Sequence, residues 1–139
     1  MSSGAVVLAF DFGTRRIGVA IANTLTRVAQ PLQSLQAKTV EQRWAGVQRC
    51  IEEWAPAQLV VGIPRYADGN AHEMTVLAQK LARQLQGRFA LPVACVDERY
   101  SSAVVEDADD VDAAAAAVIL QQWLDEAQQN KNTENTPHA

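Results

Sequence analysis

The chain reads as a single α/β domain: a mixed five-stranded sheet with helices on both faces. Three observations lead there. The run Ala5 to Asp11 is apolar at both alternating sets, Val6/Leu8/Phe10 and Val7/Ala9, so it needs cover on two sides and belongs in the middle of a sheet. Two more strand-like runs follow after short turns, and beyond them strands alternate with segments of helical period. A length of 139 residues with 48% apolar composition suffices for one core and is cramped for two.

Taken in order, residues 5–11 form the first strand, and Ile17 to Ala22 returns as the second after the turn bracketed by Gly13 and Gly18. A third strand is expected from about Arg27 to Leu35, made an edge by Pro31. Trp44, Val47, Ile51 and Trp54 then recur at three- and four-residue spacing, one face of a helix. Thr39 with Gln42 offers a capping box at its start, and Pro56 lies just past its end. Leu59 to Ile63 is a buried strand closed by Pro64. Asn70 with Glu73 suggests a second capping box for a helix carrying Met74, Leu77, Leu81 and Leu85, which Gly87 is expected to stop. Residues 91–96 form the fifth strand, and an alanine-rich helix spans about 110–127. The expected domain is therefore 1–127, followed by a polar, asparagine-rich tail over 128–139 expected to be disordered. Three meandering strands followed by strand–helix alternation is the layout of ribonuclease H-like folds.

Composition narrows the function. No segment approaches the roughly 20 apolar residues needed to cross a bilayer, and the start of the chain lacks the pattern of a signal peptide, so a cytoplasmic location without membrane is expected. Cys50 and Cys95 have no CxxC spacing and lie in apolar segments, which points to buried, reduced thiols. A net charge of −4 argues against an indiscriminate nucleic-acid coat and leaves room for a local basic groove. Arginines are spread through the first hundred residues, whereas Glu106, Asp107, Asp109, Asp110 and Asp112 crowd together. The tryptophans Trp44, Trp54 and Trp123 fall at helical spacing and read as packing residues.

Three acids stand where a regular element starts or stops: Asp11 at the end of the first strand, Glu98 after the fifth, and Asp112 before the alanine run. On open α/β sheets, ligands bind outside the carboxyl ends of the strands, so these residues can converge. Clustered carboxylates about 4 Å apart repel by roughly 4 kcal/mol at an effective dielectric of 20. A divalent cation removes that conflict, and oxygen ligands favour Mg²⁺ or Mn²⁺. Two such ions can hold the attacking and leaving oxygens of a phosphodiester in line, which makes nucleic-acid hydrolysis the natural reaction. Thr14, Arg15 and Arg16 form a turn whose amides and guanidinium groups can hold a phosphate.

Four ordered stretches, Leu8 to Ala20 with its Asp11-Phe12-Gly13-Thr14 turn, Val61-Gly62-Ile63-Pro64 with Asp68-Gly69, Asp97-Glu98-Arg99-Tyr100-Ser101-Ser102, and Val111-Asp112 before Val118-Ile119-Leu120, resemble the YqgF (RuvX) family. The resemblance covers about residues 5–125. It implies a ribonuclease H-like nuclease, of a family described both as Holliday junction resolvases and as processors of the 5′ end of pre-16S rRNA. It also implies that Asp11, Glu98 and Asp112 are the metal-binding catalytic acids. Beside Glu98, Arg99 and Ser101 are placed to orient it or to contact the nucleic-acid backbone. In one respect the chain departs from the family pattern. Only Tyr100 to Val111 separate the Glu98 motif from Asp112, where the family usually carries an extra helical segment and a lysine-rich loop, and Asp109 or Asp110 stand as alternatives to Asp112.

The favoured expectation is an Mg²⁺- or Mn²⁺-dependent nuclease acting on pre-16S rRNA, as monomer or homodimer. Branched DNA is the alternative substrate, for which a dimer is expected. A non-catalytic nucleic-acid-binding module is the third reading. The Asp-x-Gly-Thr turn is also similar to the phosphate loop of actin-like ATPases, which need two such domains where this chain has length for one.

Overall fold

The computed structural model describes residues 4–13, 15–64, 73–98 and 111–134. Among them the elements run β1 (Val6–Phe12), β2 (Arg16–Asn23), β3 (Gln30–Gln36), α1 (Val40–Trp54), β4 (Gln58–Pro64), α2 (Glu73–Phe89), β5 (Val93–Glu98) and α3 (Val111–Glu134). The sheet has the order β3-β2-β1-β4-β5. β1 pairs antiparallel with β2 and parallel with β4, and β4 parallel with β5, so the sheet is mixed as the sequence predicts.

Period-two alternation divides the core. Leu8, Phe10, Ile17, Val19, Leu59 and Val61 meet Val47 of α1 and Leu81 and Leu85 of α2 on one face. Val7, Ala9, Ala20, Val60 and Val96 meet Ala116, Ile119 and Leu120 of α3 on the other. β1 and β4, buried on both faces, are the central strands.

The element boundaries differ from expectation in four places. β3 begins at Gln30 rather than Arg27, because Arg27 adopts a left-handed conformation (φ 58°) that closes the turn after β2. Pro31 does sit on the sheet edge, and the register with β2 shifts between Val19 and Ala20 beside it. α2 runs through Gly87 to Phe89. A helical glycine costs only about 1 kcal/mol, and Phe89 gains packing on the core. The stop is made by Ala90, left-handed at φ 53°, whose N–H donates to the Gln86 carbonyl at 3.0 Å. β5 begins two residues late, at Val93, because Pro92 has no N–H, while its carbonyl accepts from the Leu59 N–H at 2.9 Å. α3 continues to Glu134, so residues 128–134 are helical where a disordered tail was expected. Once the alanines have nucleated the helix, glutamine, lysine and glutamate propagate it at little cost. Residues 135–139 lie outside the described residues, as does the Asn70 cap.

α1 starts as expected: Thr39 Oγ1 accepts from the Gln42 N–H at 3.0 Å, while Gln42 Oε1 reaches back to the Lys38 N–H at 3.0 Å. Both cysteines are free thiols, but only Cys50 is buried; Cys95 is exposed because it lies on the edge strand β5. Among the described residues no helix is long and apolar enough to cross a membrane.

Candidate active site

β1, β4 and β5 run parallel and end at the same edge of the sheet, and there the acids meet. Asp11 shares the alternation of Val7 and Ala9, and Glu98 that of Val96, so both carboxylates face α3. Their strands are not neighbours. β4 lies between them, which separates the two backbones by about 10 Å, two strand spacings.

Gly62 makes the meeting possible. A Cβ on Gly62 would stand 3.3 Å from the carboxyl carbon of Glu98 and would collide with Ile119 of α3. Without it, the Glu98 side chain folds back across β4 and its carboxyl group reaches that of Asp11, with which it hydrogen-bonds. Replacing Gly62 by alanine is therefore expected to displace Glu98 by a fraction of an ångström to an ångström and to lower kcat about 100-fold, a loss typical of such misplacement. An unchanged kcat in single-turnover cleavage would show that the space over β4 does not hold Glu98 in place.

Asp112 arrives from the first turn of α3. Gly18, the β2 partner of Asp11, lies directly beneath it: a Cβ there would collide with the Asp112 carbonyl and stand 3.0 Å from the Ala113 nitrogen. The Asp112 carboxylate is turned sideways, where Oδ2 accepts from Arg16 Nε at 2.8 Å and from the Ser34 hydroxyl at 3.4 Å. Arg16 is 59% exposed and Asp112 33%, so solvent screens the pair and it is worth no more than about 1 kcal/mol.

Burial, then the Glu98 charge and hydrogen bond, then the Asp112 charge, push the Asp11 carboxyl up from 3.8 to about 8. Without a cation, Asp11 holds a proton at neutral pH and donates it to Glu98. Among the described residues no three acids are gathered closely enough to hold a metal ion. The donor chemistry nonetheless fits a hard divalent cation: two mutually repelling carboxylates share one mostly buried spot, and a cation there would replace the shared proton. Asp112 would join them by leaving Arg16, an exchange that costs little.

Of the residues singled out in the sequence, Asp11 and Glu98 thus meet in a hydrogen bond, and Asp112, near enough for its charge to act on Asp11, is held by Arg16. Arg15 is exposed at the tip of the β1–β2 hairpin. Thr14, Arg99, Ser101, Asp68, Gly69, Asp109 and Asp110 lie outside the described residues. Sequence reasoning did not foresee the parts played by Gly18, Gly62 and Ser34. A glycine inside an otherwise apolar strand was the available signal for the first two.

A family model described as "RuvX: Holliday junction resolvase" matches residues 5–126. A protein of Paraburkholderia xenovorans named "Putative pre-16S rRNA nuclease" is 50% identical over 129 residues, spanning 87% of this chain and 88% of the relative. One of the same name from Polynucleobacter necessarius is 48% identical over 130 residues, spanning 91% and 88%. Among solved structures, Thermus thermophilus RuvC in complex with a Holliday junction superposes with a TM-score of 0.57 at 15% identity, covering 89% of this chain and 96% of that one. The Fowlpox virus resolvase bound to Holliday junction DNA gives 0.58 at 9% identity, covering 88% and 98%. These structural likenesses concern the fold, which is ribonuclease H-like.

Proposed function

The chain belongs to the RuvX family, and from that premise we propose that it is a divalent-metal-dependent nuclease that hydrolyses RNA, with the 5′ end of precursor 16S rRNA as its substrate. The observation that carries the reading is the pairing of Asp11 with Glu98 across β4, with Asp112 close enough to add to the repulsion. The substrate is supported by the names of relatives at about 50% identity. The site of action is then the cytoplasm, where ribosomal precursors are processed.

When bound, Mg²⁺ or Mn²⁺ would supply the charge that activates water and stabilises the leaving 3′ oxygen. The rest falls to the residues of the chain. Asp11 and Glu98 would hold the cation, with Asp11 giving up its proton as it does so. Asp112 would complete the donor set, and Arg16, freed by that movement, would turn its fork to a phosphate oxygen beside the scissile bond. Burial of Asp11 beneath α3 keeps bulk water from screening the charge that Asp11 itself brings.

The test compares a labelled 5′-extended 16S rRNA fragment with a four-way DNA junction, each in Mn²⁺ and in chelator. Metal-dependent cutting of the RNA is expected, with the junction cut far more slowly. Preferential junction cutting would replace this reading with the resolvase one, which also requires two protomers per junction and hence a dimer by light scattering. No cutting of either substrate would leave a nucleic-acid-binding module.

A further inference from the structure

We propose that Arg15, Lys38 and Arg43 form a phosphate-binding rim on the α1 side of the sheet, which fixes the side from which a nucleic-acid strand enters the site. The inference rests on the nuclease reading for its ligand and on separate residues for its geometry. Two backbone contacts bring the three cations to one place. The Arg15 carbonyl at the hairpin tip accepts from the Ala37 N–H at 2.8 Å, which ties the tip to the junction between β3 and α1, with Lys38 next along the chain. Arg43 lies one turn into α1, its N–H donating to the Thr39 carbonyl at 3.1 Å, and its guanidinium carbon stands 5.5 Å from the centre of the Phe12 ring.

Phe12 follows Asp11 in β1 and points to the opposite face. Arg43 therefore lies over the residue next to Asp11, on the other side of the sheet.

Arg43 is also short of partners. Its Nε is buried and makes no hydrogen bond. The Phe12 ring face attracts the charge without satisfying the N–H groups. Among the described residues, none of Arg15, Lys38 and Arg43 has a carboxylate within ion-pair distance. Such unpaired cations beside a phosphodiester-cleaving site suit a backbone phosphate. Glu41 is the opposing charge in the first turn of α1, and Thr39 leaves the positive end of that helix facing the same rim. The α3 face of the sheet has the opposite character: Glu98 and Asp112 accompany Asp11 there, and Arg16 is held by Asp112.

The test is RNA binding in chelator, where nothing is cut, by fluorescence anisotropy of a labelled single strand over a series of salt concentrations. Lys38→Gln and Arg43→Met together are expected to weaken binding at least tenfold at low salt. They should also flatten the dependence of log Kd on log salt by about 1.4, since each phosphate contact on a single strand contributes about 0.7. Lys38→Gln alone, at an exposed position, should give about half that change of slope with an unaltered melting curve. Arg49→Gln, farther along α1, should leave both quantities as in the wild type. Slopes unchanged in the rim variants, or equally changed in Arg49→Gln, overturn the rim. Loss of rim binding in a protein that cuts no substrate upholds the rim and removes the nuclease reading. A wild type that binds no strand removes both.

Discussion

Asp11→Asn is expected to slow metal-dependent cleavage by a factor of about 10³ or more, roughly 4 kcal/mol of transition-state stabilisation. Asparagine keeps the shape and can still donate to Glu98, but it brings no charge to a cation. The same substitution should make the metal-free protein more stable. In the wild type the Asp11 carboxyl is raised from 3.8 to about 8. The folded state therefore holds a proton that the unfolded chain releases between those values, and the stability present below about pH 4 is lost as pH rises towards 8. Asparagine has no such proton. Urea unfolding in chelator should show the wild type weakening over that interval while the variant stays level, ahead by a few kcal/mol at pH 8. A variant that cleaves at the wild-type rate, or that shares the wild-type pH slope, would mean that Asp11 is neither ligand nor buried acid.

The second large effect belongs to Gly18. A methyl group there meets the carbonyl of Asp112 and the nitrogen of Ala113. Both are main-chain atoms, which cannot step aside by changing rotamer. The first turn of α3 must lift from the sheet, and Gly18→Ala should cost about 3 kcal/mol, at the upper end for overpacking. For a domain of this size that lowers the melting temperature by roughly 10 °C. Activity should fall with it, since Asp112 is carried away from Asp11. Calorimetry gives the answer directly: a melting temperature equal to that of the wild type would show that α3 does not close on β2 as described.

Much of the fold was legible because its causes are local. The two-sided apolar run of β1, the period change at Trp44 and the alanines of α3 each announce an element from within it. Boundaries set by neighbours were less so. Gly87 looks like a stop until Phe89 is seen packed on the core, and residues 91–96 look like a strand until the Pro92 carbonyl is seen turned to β4. The acids were legible as ends of elements, yet their geometry was not. That Glu98 is the last residue of β5, crosses β4 over Gly62 and shares a proton with Asp11 depends on lateral packing, which no spacing along the chain encodes. The hold of Arg16 on Asp112 joins residues 96 positions apart and was equally invisible.

The placement of β4 between the two principal acids bears on how the protein is made. Asp11 leaves the ribosome early, and the strand that must slot beside it, the strand that brings Glu98 and the helix that brings Asp112 follow in that order. Contacts so distant in sequence form late in folding. On the proposed site, a nascent or partly unfolded chain has no complete cutting centre until its last helix has docked.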